Sequence, residues 1–142
     1  MALKAKRKSA HALGHVIVVE DDAVLALALE DALSDAGAER VQLLQTSEAA
    51  LAALRDAEKP VDAIVLDVHL SDRSDGWAIA ELIDQLGGHE PRIVFATGAP
   101  GDIPENIADL GTVIEKPYDT ADLVAALRKP AQRGLLERLR AR

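Results

Sequence analysis

A chain of 142 residues is long enough for one compact domain, and 49% of it is apolar, nearly all Ala, Leu, Val and Ile, with only 2% aromatic. With no cysteine there is neither a disulfide framework nor a thiolate metal site; no apolar run approaches the ~20 residues of a membrane span and the basic N-terminus lacks a signal's apolar stretch, so a cytoplasmic protein is expected. The net charge of −8 hides four basic residues in 1–15 and six against one acid in 128–142, leaving residues 16–127 at −17, a poor match for nucleic acid but suited to a cation wherever those acids converge.

The pattern alternates strand and helix five times. His15 to Glu20 is a β-branched run that ends in acids. Asp22 to Ala36 reads as a helix with Val24, Leu25, Leu27, Leu29 and Leu33 apolar and Gly37 as its stop. Val41 to Leu44 is a shorter strand, and Thr46 or Ser47 can cap the helix that follows, with Leu51 and Leu54 facing inward. After Pro60 comes Val61 to Asp67, too uniformly apolar to have a wet face. Gly76 to Leu86 reads as a third helix, with Trp77 packing at its start, and Pro91 to Thr97 as the fourth strand. Three glycines and two prolines in 98–111 leave room for a short helix around Glu105 to Leu110. Thr112 to Glu115 is the fifth strand, Asp119 caps a last helix to about Arg128, and Ala131 to Arg142 suits an extra basic helix beyond Pro130.

Strands separated by helices imply right-handed crossovers and a parallel sheet covered on both faces. Five units fit a flavodoxin-like, doubly wound α/β fold with strand order 2-1-3-4-5. The expected domain spans 15–129, between a disordered basic tail over 1–14 and a basic, helical extension over 130–142.

In such a sheet the strands end at one edge, where ligands bind. The residues there are Glu20-Asp21-Asp22, Asp67, Thr97-Gly98 and Glu115-Lys116-Pro117. Converging carboxylates repel one another, and a hard divalent cation relieves that repulsion; oxygen-only donors favour Mg²⁺. A carboxylate beside Mg²⁺, faced by a lysine and a threonine, makes a phosphoryl-transfer site, with Asp67 as the nucleophile because it ends a central strand. Asp22 is equally explained as a helix cap, and Thr97 or Lys116 alone would be a turn residue or a solvated charge. The joint pattern at four strand ends carries the reading.

At this point VVEDD, IVLDV, FATG and EKPY, in this order and spacing over roughly residues 14–128, resemble the motifs of response-regulator receiver domains. The resemblance implies that Asp67 is the phospho-acceptor, that Asp21 binds Mg²⁺ directly and Glu20 mainly through water, and that the His69 backbone carbonyl is a third ligand, its side chain pointing outward. Thr97, Gly98 and Lys116 would bind the phosphoryl group, with a cis peptide between Lys116 and Pro117. The implied partners are a histidine kinase or histidine phosphotransferase and an unidentified downstream protein, with no nucleic acid or membrane partner, and a homodimer left open. The only catalysis would be of the protein's own phosphorylation and dephosphorylation.

Three departures stand out. Ser71 replaces a usual proline in a loop that reads one residue longer, Val113 stands where a switch aromatic is usual, and GAPGDIPEN follows Thr97. With FATG, these look like the single-domain "FAT GUY" receivers, a branch linked to unorthodox histidine kinases in general-stress signalling. The chain ends before an output domain would fit, so a stand-alone receiver that signals by protein–protein contact or acts as a phosphate sink is expected. The rival is a phosphorylation-independent interaction module. A phosphatase with an Asp nucleophile would want an acid where His69 stands, and no Gly-rich loop follows the first strand for a dinucleotide. His11, His15 and His89 receive no role.

Overall fold

Five β-branched or aliphatic runs become the strands β1 (His15–Val19), β2 (Arg40–Leu44), β3 (Ala63–Asp67), β4 (Arg92–Thr97) and β5 (Thr112–Glu115). In this computed structural model, which describes residues 13–56, 60–67 and 91–129, they form one parallel sheet in the order β2-β1-β3-β4-β5. The expected flavodoxin-like order is therefore the observed one. The helix expected at 76–86, Trp77, His69, Ser71, residues 1–12 of the expected N-terminal tail and the whole C-terminal extension lie outside the described residues, whereas Leu13 and Gly14, expected in that tail, are described and Leu13 is buried.

Helix α1 (Ala23–Asp35) buries Ala26, Leu29 and Leu33, one stripe at helical spacing, against the sheet. Leu29 and Leu33 are fully buried, each stabilising the fold by about 1.5–3 kcal/mol. Gly37 ends the helix with φ +101°, a conformation that costs a Cβ-bearing residue about 1–2 kcal/mol. Arg128 then donates to the Ala36 carbonyl at 2.7 Å, so a cation meets the carbonyl end of α1.

Helix α2 (Ser47–Asp56) is capped by Thr46, whose hydroxyl accepts the Ala49 N–H at 3.1 Å. Beyond β4 the chain makes a 3₁₀ turn (Pro100–Asp102) and α3 (Glu105–Ala108), shorter than the helix expected to Leu110. Helix α3 starts where expected, after Pro104, and its end tightens into turns in which the Leu110 N–H donates to the Ile107 carbonyl at 2.9 Å and the Gly111 N–H to that of Ala108 at 3.3 Å. Helix α4 (Thr120–Leu127) closes the described chain. Asp119 holds its N-cap position, but its side chain makes no capping bond, so the expected cap is positional only.

Two apolar layers cover the sheet. One gathers Ile17, Val19, Ile64, Leu66 and Phe95 with Ala50, Ile103 and Ile107. The other gathers Val16, Val18, Val65 and Ala96 with Leu29, Leu33, Leu123 and Leu127, and already includes Leu13. At the edge opposite the strand ends, Asp62 accepts the His15 N–H at 2.8 Å. A Cβ on Gly14, whose φ is +62°, would run into that carboxylate, which fixes glycine there. No helix among the described residues is long and apolar enough to cross a membrane.

Candidate functional site

Because β1, β3, β4 and β5 are parallel, their last residues share one rim of the sheet. Asp67 ends β3 and is 5% exposed; Glu20 directly follows β1 and is 2% exposed. Asp21 is exposed beside them. One carboxylate oxygen from each of Glu20, Asp21 and Asp67 lies within 4.8 Å of the others. Three convergent oxygens, two of them on buried groups, suit a hard divalent cation such as Mg²⁺ that keeps part of its water.

Asp22 does not join them. Its Oδ1 accepts the N–H groups of Val24 at 3.0 Å and Leu25 at 3.2 Å, so it is the N-cap of α1. Its own N–H donates to Glu20 Oε2 at 3.1 Å and fixes that carboxylate from one side.

From the other side comes Lys116, which follows β5. Its ammonium lies 2.8 Å from Glu20 Oε1 and 3.5 Å from Asp67 Oδ2. The Lys116 N–H donates to the Thr97 carbonyl at 2.8 Å, tying the lysine's backbone to the end of β4. The Lys116–Pro117 peptide is cis, as expected.

Burial pushes the Glu20 carboxyl up to about 7 against the lowering pull of Lys116, with Asp67 adding to the rise. Burial alone would lower Lys116, but the hydrogen bond to Glu20 and the charge of Asp67 outweigh it and raise its pKa. The two directions agree: the lysine stays charged, and the site holds more negative charge than it can solvate.

Thr97 is fully buried at the end of β4, one residue past Ala96, the cross-strand partner of Asp67. Its Oγ1 accepts the Ala99 N–H at 3.0 Å, which occupies a lone pair and leaves the hydroxyl proton available to donate. Gly98, beside it, is exposed, with open space where a Cβ would be. His69 lies outside the described residues.

Tyr118 is the residue sequence reading passed over. Its hydroxyl is buried with no hydrogen-bond partner among the described residues. Burial, with the charges of Glu20 and Asp67, pushes it up to about 12. The only signal in the sequence was its place two residues beyond Lys116. His15, given no role, is also buried, and neither ring nitrogen has a partner among the described residues.

The chain's sequence matches the family model described as "Response regulator receiver domain" over residues 16–128. Among solved structures, it is similar to the response regulatory domain of protein mrkE from Klebsiella pneumoniae, with 28% identity and a TM-score of 0.66, covering 87% of this chain and 98% of that one. A receiver domain protein from Methanospirillum hungatei is 26% identical at a TM-score of 0.67, over 81% and 91% of the two chains. A CheY-like receiver domain from Methylobacillus flagellatus shares the fold at a TM-score of 0.70 and 24% identity, over 82% and 98%. No curated protein matches the chain.

Proposed function

Since the chain belongs to the response regulator receiver domain family, we propose that it is a phosphorylation switch in which Asp67 accepts a phosphoryl group from a histidine kinase or histidine phosphotransferase. One observation carries the reading: Asp67 is buried at the end of a central strand, with the Lys116 ammonium at 3.5 Å and two further carboxylates beside it.

An Asp67 oxygen attacks phosphorus in line with the leaving group. The new bond is Asp67 O–P, and the broken one joins phosphorus to the donor's imidazole nitrogen, which leaves with the bonding pair. Lys116 neutralises charge on the transferred group, and the Thr97 hydroxyl and the backbone at Gly98 meet its oxygens. Mg²⁺ would be held by Asp21 and Asp67, with Glu20 acting mainly through water and the His69 carbonyl as a further ligand. It would supply charge neutralisation at the phosphoryl oxygens. Burial of Asp67 limits attack by bulk water on the acyl phosphate. The phosphorylated domain would signal through protein contacts or serve as a phosphate sink. On α1, next to the acids, Val24 is 79% and Leu27 57% exposed, apolar surface suited to a protein donor.

Acetyl phosphate with Mg²⁺ is expected to add one phosphoryl group to the wild type and none to Asp67→Asn, read by intact mass. Equal labelling of the two proteins would refute the acceptor assignment.

A further inference from the structure

We propose that residues 130–142 fold back over the exposed face of α1 and cover Val24 and Leu27, the surface offered above to a protein donor. The docking stands on this chain's own residues, and only its consequence for the donor rests on the receiver reading of the site.

Helix α1 has two unlike faces. Ala26, Leu29 and Leu33 are buried against the sheet, whereas Val24, Leu27, Ala28, Asp31 and Asp35 are exposed and share the opposite face at helical spacing. Among the described residues, Val24 and Leu27 are the only large apolar side chains so exposed. Such a pair beside acids marks a contact surface. The helix also carries Glu30, Asp31 and Asp35 and no basic residue, a net charge of −3.

Residues 130–142 carry the complementary pattern. Leu135, Leu136 and Leu139 fall on one side of a helix, and Arg133, Arg138, Arg140 and Arg142 against Glu137 give a net charge of +3. The fold delivers this segment to the right place. Leu123 and Leu127 of α4 lie in the same apolar layer as Leu29 and Leu33, and Arg128 reaches the Ala36 carbonyl at 2.7 Å. Lys129 therefore follows directly on a contact with the end of α1. Pro130, two residues past the C-cap Arg128, stops α4 from continuing straight.

The lengths agree as well. At about 1.5 Å per residue the 13 residues of α1 span about 20 Å, and a helix over 131–142 about 18 Å. With the two antiparallel and Pro130 level with Ala36, Leu139 comes level with Leu27, about one turn from Val24. Asp31 then falls between Arg133 and Arg138 along the axis. A tethered segment meets its site at an effective concentration on the order of millimolar, so a small interface suffices.

Because the chain has no cysteine, one introduced thiol reports the cover without background. Ala28→Cys places it on the exposed face of α1, and Asn106→Cys, at an exposed position of α3, gives the reference. In the full chain a bulky maleimide should react about tenfold more slowly at position 28 than at position 106. Adding Leu135→Ser with Leu139→Ser should abolish that difference and leave the rate at position 106 unchanged. Arg138→Glu with Arg142→Glu should do the same by charge repulsion, and carries the comparison if the serine variant loses its cooperative melt. Equal rates at the two positions in the otherwise unaltered chain would overturn the docking. So would protection of position 28 that disappears on dilution, since the occupant would then be a second copy. Acetyl phosphate labelling of Asp67 is scored separately, because so small a donor does not need α1. Equal maleimide rates with normal labelling refute the docking alone, whereas protection without labelling supports the docking and refutes the acceptor role instead.

Discussion

Val113 lies directly opposite Phe95 across the β4–β5 ladder. Both belong to the same apolar layer, where Phe95 is fully buried and Val113 packs against the cluster with Ile103 and Ile107 of the segment after Thr97. The chain's only phenylalanine thus stands one strand inward of the position where a switch aromatic is usual, two residues before Thr97.

This placement predicts that aromatic volume cannot simply be restored on β5. Val113→Tyr should crowd Phe95 and destabilise the protein by about 1–3 kcal/mol, while Phe95→Ala should cost about 3–5 kcal/mol through lost burial and a cavity. Urea unfolding measures both. A Val113→Tyr protein as stable as wild type would mean that the β5 position opens to solvent and is free to accept an aromatic.

The acid cluster predicts an unusual pH dependence. Glu20 rises from an ordinary 4.5 to about 7 in the folded protein, so between those values the native state binds more protons than the unfolded chain. Stability from this group is full below 4.5 and is lost as pH rises through about 7, with a limiting slope of about 1.4 kcal/mol per pH unit for one proton. In chelator, the wild type should therefore melt lower at pH 8 than at pH 5.5, and Glu20→Gln should flatten that difference. Mg²⁺ should reverse the trend, since it favours the ionised carboxylate. An identical pH profile in wild type and Glu20→Gln would remove Glu20 as the cause.

How much of this was readable beforehand depends on distance along the chain. The strand ends were legible because β-branched runs stop at acids, and parallel order alone then places Glu20, Asp67, Thr97 and Lys116 on one rim. Whether Asp22 caps or ligates was open, since an aspartate before a helix suits either; its two bonds to Val24 and Leu25 settle it as a cap. The Lys116–Glu20 contact was not legible, because it depends on the relative heights of strands three places apart. Tyr118 was missed for a related reason: its ring packs like a core residue, and only the fold puts its hydroxyl beside the acids.

The two acids of the 20–21 pair should differ toward the metal. Glu20 shares its charge with Lys116 and the Asp22 N–H, whereas Asp21 is exposed at the same rim. Asp21→Asn is therefore expected to weaken Mg²⁺ binding by more than about tenfold, a scale typical of disturbing a metal's surroundings, and Glu20→Gln by less. Calorimetric titration decides it, and a larger loss in Glu20→Gln would make Glu20 the principal ligand.

The final prediction concerns how phosphorylation is read out. Val113 is too small to fill space vacated by Thr97, and a β-branched side chain has little freedom at χ1. The segment after Thr97 is the candidate relay: one 3₁₀ turn and a four-residue helix, held to the sheet by Ile103 and Ile107. Its start is tied to Thr97, since the Ala99 N–H donates to Thr97 Oγ1 at 3.0 Å. Its backbone bonds are local turns, such as Asp102 N–H to the Ala99 carbonyl and Leu110 N–H to the Ile107 carbonyl, rather than ladder bonds, and its buried anchors are Ile103 and Ile107, so its amides should exchange faster than those of the strands in the unphosphorylated protein. When the Thr97 hydroxyl donates to a phosphoryl oxygen, the Ala99 bond is held in place and the turn behind it should become ordered. Amide hydrogen exchange with and without beryllofluoride, in Mg²⁺, measures this directly. Residues 98–110 should gain protection in the wild type and not in Thr97→Ala. Equal protection with and without the mimic would mean a rigid irregular loop, and the output would then run through another surface, such as the basic C-terminal segment.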